Sequence, residues 1–147
     1  MRLEDAIVIN CPSTRLYAML SDVESHAALL PGYRESRIVE HIGNDCVLQR
    51  EAIINGTLRR WKSQVHFEQE RALHFRQLEG PFEGMRVLWD LEPKGAATEL
   101  RIVHEVSIKP WWKKWWMELV IAKPAIERTA RIVLESIKMA AEARVPL

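Results

Sequence analysis

The chain has 147 residues and a mass of 17.1 kDa, is 48% apolar and 28% charged, and sets 21 Lys and Arg against 20 Asp and Glu for a net charge of +1. That is enough apolar side chain to offset the entropy of ordering, which excludes a disordered polyampholyte, and the length suits one domain spanning residues 1–147. The balanced charge leaves no basic excess for a nucleic-acid partner, and uncharged stretches such as residues 6–14 stop at nine residues, far short of the about 20 that a membrane-crossing helix needs.

Ile7, Val8 and Ile9 form a strand-like run within residues 5–10. Pro12 then opens a helical stretch, because its fixed φ suits a first helical position, and Leu16, Met19 and Leu20 recur there at helical spacing. Residues 22–30 read as a second short helix closed by Pro31-Gly32. Strands punctuated by turns follow: 37–42 before Gly43-Asn44-Asp45, 46–54 before Asn55-Gly56, a long alternating 57–69, 73–78 before Gly80-Pro81, 85–91 before Pro93-Lys94-Gly95, and 99–109. Asn55-Gly56 is the strongest hairpin signal, and connections this short imply an antiparallel sheet.

After Pro110 the period becomes helical. Ile126, Ala130, Val133, Ile137 and Ala140 form one apolar stripe, with Glu127, Arg131, Glu135, Lys138 and Glu142 on the other side. Pro124 lies inside this pattern. An interior proline costs about 3 kcal/mol and a backbone bond, so a kink or break is expected near residues 121–123. The sum is an α+β fold: one strand, two short helices, six strands and a long C-terminal helix. An antiparallel sheet has one face to bury; a long helix covers it, and incomplete closure leaves an apolar cavity between them.

This order resembles the helix-grip fold of the START and polyketide cyclase superfamily, a curved antiparallel sheet wrapped around a long C-terminal helix. Within it the chain is similar to the aromatase/cyclases of bacterial type II polyketide synthases. The resemblance covers nearly the whole chain and rests on Ile9-Asn10-Cys11-Pro12, Ser21-Asp22-Val23-Glu24, Trp61-x-Ser63, Gly80-Pro81-Phe82-x-x-Met85-x-x-x-Trp89, Thr98-Glu99-Leu100 and Val106-x-x-Lys109-Pro110. It implies a hydrophobic or polyketide small-molecule ligand, aldol cyclisation with dehydration, and a substrate delivered on an acyl carrier protein, an acidic partner for which Arg34, Arg37, Lys113 and Lys114 would form a basic rim. A non-catalytic carrier or chaperone of a quinone or lipid, as among the coenzyme Q-binding relatives, is the alternative.

Cyclising a poly-β-ketone requires bending a flexible chain, polarising one carbonyl and moving protons. By the resemblance, Tyr33 matches a proposed proton donor and Arg76 a substrate-anchoring arginine. Alternation runs against the second match, since Leu73 and Phe75 mark the apolar side of that strand and turn Arg76 outward. Trp61, Ser63, Phe82, Met85 and Trp89 match cavity-lining positions, and core filling is the competing reading for the aromatics. Val65 stands where the cyclases carry a second, deeper arginine, and valine cannot stabilise an enolate. Arg50 is the candidate replacement cation, because Leu48, Ala52 and Ile54 put it on an apolar strand face; a buried unpaired arginine is expensive, so it is expected to be paired or at a rim. His104, between Ile102 and Val106, matches a polar cavity glutamine and offers a titratable base.

No cofactor is implied. Cys11 and Cys46 and the histidines at 26, 41, 66 and 74 lack metal-ligand spacing, and the cysteines read as reduced and structural. Acidic residues at positions 4 and 5 interrupt any signal peptide, and a cytoplasmic location is expected. Trp111, Trp112, Trp115 and Trp116 surround Lys113 and Lys114. A cavity lid, a dimer contact and a peripheral membrane contact compete for this segment.

Overall fold

The computed structural model describes residues 1–54, 56–79, 82–106 and 113–143, except for the side chains of 113–121. Strand β1 (Arg2–Ile9) is followed by α1 (Ser13–Ser21), a 3-10 turn (Val23–Ser25) and α2 (His26–Leu29). Six strands follow: β2 (Tyr33–Ile42), β3 (Asp45–Ile54), β4 (Thr57–Glu68), β5 (Ala72–Glu79), β6 (Arg86–Lys94) and β7 (Ala97–Glu105), and then α3 (Lys113–Ala143). The sheet is antiparallel throughout, in the order β1-β7-β6-β5-β4-β3-β2. This is the helix-grip architecture, with a curved sheet closed by one long helix.

The element order matches the expectation from sequence, and two local expectations need correction. Pro12 caps α1 from outside, with an extended backbone at φ −60° and ψ 144°, rather than occupying its first turn. Pro124 does not divide the last helix, which runs as one element of 31 residues. One missing backbone bond is outweighed there by packing. Asn55, Gly80-Pro81, Lys109-Pro110, Trp111 and Trp112 lie outside the described residues, as do the side chains of Trp115 and Trp116.

The apolar stripe of α3 is wider than expected. Ile126, Ala130, Val133 and Ile137 are buried together with Leu134 and Ala141, while Ala140 is only half-buried. The opposite side is not simply solvated. Arg131 Nε donates to Asp5 at 3.0 Å and Lys138 Nζ to the Val8 carbonyl at 2.8 Å, tying α3 along β1. Leu16 and Leu20 of α1 pack with Leu48, Leu73, Leu91 and Leu100 of the sheet and with Leu134 and Ile137 of α3. That end of the molecule is solid.

Candidate functional site

The other end is hollow. A cavity of about 410 Å³ lies between the inner sheet face and the stretch of α3 from Ala122 to Val133. Alternation decides which strand residues reach it. On β3, Arg50 shares the buried face with Leu48 and Ala52. On β4, Trp61 lies opposite Arg50 and Ser63 opposite Leu48. Phe75 and Gln77 follow on β5, Trp89 on β6, and Ile102 and His104 on β7. Tyr33 and Trp61 meet edge to face at 5.9 Å, and Phe82 and Met85 complete an aromatic and thioether wall.

Eight of the expected site residues therefore line one cavity: Tyr33, Arg50, Trp61, Ser63, Phe82, Met85, Trp89 and His104. Arg76 and Val65 do not. Arg76 is exposed on the outer sheet face, where it donates to Gln64 Oε1 at 3.1 Å. Phe75 takes the inward position beside it, as the alternation of the strand requires, so Arg76 does not reach the cavity. Val65 is fully buried in the solid part of the core rather than at the cavity wall, opposite Cys46 and Phe75.

Arg50 is 3% exposed, and no carboxylate lies within ion-pairing distance of it among the described residues. Its Nη2 donates to His26 Nδ1 at 2.8 Å, and its guanidinium carbon lies 5.5 Å over the Tyr33 ring and 5.1 Å over the Phe75 ring. Among the described residues its buried Nε has no partner, nor has Oε1 of Gln77. His26 is fully buried and stacks on Trp89 at 5.2 Å. The Leu20 carbonyl, 2.8 Å from His26 Nε2, can only accept a hydrogen bond. Nε2 therefore carries the ring proton, and Nδ1 is the acceptor for Arg50. Burial, reinforced by the charge of Arg50, pushes the His26 pKa down to about 3. Burial alone brings His104 down to about 4. Both imidazoles are neutral at pH 7, Arg50 is the buried charge on the cavity wall, and exposed Arg59 also lines the cavity.

His26 and Gln77 were missed from sequence. Gln77 is on the same face of β5 as Phe75, two residues on, so the alternation that turns Arg76 outward also points Gln77 inward. His26 falls with Val23 and Leu30 at i, i+3 and i+7, the buried side of the second helical segment.

The family described as polyketide cyclase / dehydrase and lipid transport matches residues 9–138. Among solved structures, the Zhui aromatase/cyclase of a Streptomyces species superposes with a TM-score of 0.88 at 20% identity, over 99% of this chain and 96% of that one. The protein TTHA0849 of Thermus thermophilus gives 0.81 at 19% identity, over 99% and 100%. A START superfamily protein of Mycobacterium smegmatis gives 0.72 at 17% identity, over 98% and 96%. At these identities the likeness is one of fold.

Proposed function

The chain belongs to the polyketide cyclase / dehydrase and lipid transport family, and from that membership we propose that it takes a hydrophobic, carbonyl-rich small molecule into its cavity and promotes aldol cyclisation and dehydration. The observation that carries the reading is Arg50: a buried guanidinium with no carboxylate partner among the described residues, on the wall of an apolar cavity that also presents Tyr33 and His104. Arg50 takes over the electrostatic role for which Val65 has no equivalent group.

In this reading neutral His104 accepts a proton from the carbon between two carbonyls. Arg50 stabilises the enolate oxygen that forms, and the enolate carbon attacks a second carbonyl. The new alkoxide takes a proton from the Tyr33 hydroxyl. Loss of water follows when the Tyr33 phenolate removes the remaining α-proton and protonated His104 gives its proton to the departing hydroxyl, which returns both side chains to their starting states. An imidazole with a pKa near 4 is a weak base, so enolate stabilisation by Arg50 carries the larger share of the rate. The polyketide would arrive on an acidic acyl carrier protein. Arg34 and Arg37 are exposed for docking, with Arg37 already bonded to Glu35 at 3.0 Å.

The low proton affinity of His104 and the valine at position 65 favour a second reading, a non-catalytic carrier of a quinone or lipid. Products of a minimal polyketide synthase, compared with and without this protein, separate the two. A changed ring pattern, lost in Arg50→Met, supports the enzyme. Unchanged products together with a lipid co-purifying by mass spectrometry reject it in favour of the carrier.

A further inference from the structure

Among the described residues no carboxylate neutralises Arg50, and that bears on what the cavity takes. Burying a guanidinium without a counter-charge is costly. The two aromatic faces and the single bond to His26 offset only part of that cost, and Nε remains buried and unpartnered. The bond to His26 is directional: the Leu20 carbonyl fixes the ring tautomer, and the lone pair on Nδ1 holds Nη2. His26 thus anchors one arm of the fork without cancelling its charge, as a carboxylate in that place would. Gln77 carries an unpartnered buried amide oxygen on the same cavity wall, and half a turn of that amide presents an N–H donor instead.

We infer that Arg50, positioned by His26 and accompanied by Gln77, forms an oxyanion-binding subsite, and that the molecule this cavity selects is an apolar one carrying a single negative charge on an unsaturated skeleton, a carboxylate or an acidic enolate. The inference rests on the reading that the cavity holds a ligand, but not on catalysis. Arg50 is the residue that meets the ligand, and His26 is a positioning residue acting through it. A neutral quinone or a simple hydrocarbon chain leaves the guanidinium uncompensated and binds more weakly than its anionic counterpart.

Two fluorescent probes with nearly the same aromatic body test this. One is 1-anilinonaphthalene-8-sulfonate, whose sulfonate stands in for the oxyanion, and the other is neutral N-phenyl-1-naphthylamine. The wild type is expected to bind the anion about tenfold to a hundredfold more tightly, the range for a hydrogen bond to a charged group. Arg50→Met should erase that preference while leaving the neutral probe within about threefold, which also reports that the cavity is intact. His26→Phe keeps the ring on Trp89 and should lose most of the preference. His26→Gln should restore it, since one amide can accept from Arg50 and donate to the Leu20 carbonyl. Equal affinities in the wild type, or a preference that survives Arg50→Met, overturn the subsite but leave the cavity reading standing. A preference that survives His26→Phe removes His26 from it. Failure of both probes to bind overturns the subsite and the cavity reading together.

Discussion

Position 65 shows how much depends on which wall a side chain faces. Val65 is fully buried among Cys46, Phe75 and their neighbours, in the solid half of the core. Val65→Arg would therefore add a second buried guanidinium with no acceptor, at a cost of about 3–5 kcal/mol. The expected result in chemical denaturation is a protein that is largely unfolded, or is destabilised by that amount, with no gain of cyclisation. Arg76 is the opposite case. It is exposed and bonded to Gln64, so Arg76→Ala should change stability by less than about 0.5 kcal/mol and leave probe binding unaltered. The two histidines set the acid limit. Their folded pKa values, about 3 for His26 and about 4 for His104, lie below the about 6.5 of an unfolded histidine. Between these values the unfolded chain binds more protons, so stability is complete above about pH 6.5 and falls as the pH drops towards 4. The slope is at most about 1.4 kcal/mol per pH unit for each ring. Urea midpoints measured from pH 7.5 to 4.5 should fall, and less steeply in His26→Gln. An unchanged slope in that variant would mean that His26 is not held neutral.

At the scale of elements, the entry to β2 decides where Tyr33 stands. Gly32 adopts φ +79°, and its carbonyl accepts from the Ile53 N–H at 2.8 Å. A Cβ at position 32 would lie 2.7 Å from the Ile53 carbonyl oxygen, which is backbone and cannot step aside. Gly32→Ala thus combines left-handed strain with a clash. It should destabilise by more than about 1 kcal/mol, read from thermal unfolding, and weaken binding of both probes by moving Tyr33 and Trp61 at the cavity wall. The turn at Pro31-Gly32 was legible in the sequence, but the strand was expected from residue 37 and β2 begins at Tyr33, whose place at the site was suggested only by the resemblance. The strands were equally readable, because the alternation over residues 57–69 and the hairpin signals are local. What was not readable was the outcome of competition between levels. Pro124 opposes helix formation locally, and α3 continues because its buried stripe and its ties to β1 outweigh one missing bond. His26 carries no motif, and its role exists only because β3 brings Arg50 against it from 24 residues away.

At the scale of the whole molecule, the question is why one end of the grip is solid and the other open. The inward residues of α3 give a physical reason. From Leu134 to Ala141 they include Leu134 and Ile137, both fully buried, and α1 adds Leu16 and Leu20 to fill the space beneath the sheet. From Ala122 to Ala130 the cavity-lining residues are Ala122, Ala125, Ile126, Thr129 and Ala130, mostly too short to span to Trp61 and Trp89 across from them. Small side chains opposite aromatic ones leave a gap that no periodicity argument measures, because its volume depends on sheet curvature and on how far the helix stands off. An unfilled apolar gap forfeits packing contacts, and a ligand that fills it stabilises the fold in proportion to the logarithm of its concentration over Kd. Ala125→Phe puts a ring into that space from the helix side. Its melting temperature without ligand should equal or exceed that of the wild type. The rise in melting temperature that saturating 1-anilinonaphthalene-8-sulfonate gives the wild type should shrink to near zero. If the variant instead unfolds at lower temperature and keeps the full ligand-induced shift, the probe is bound elsewhere, and the hollow under α3 is not the place where this protein handles small molecules.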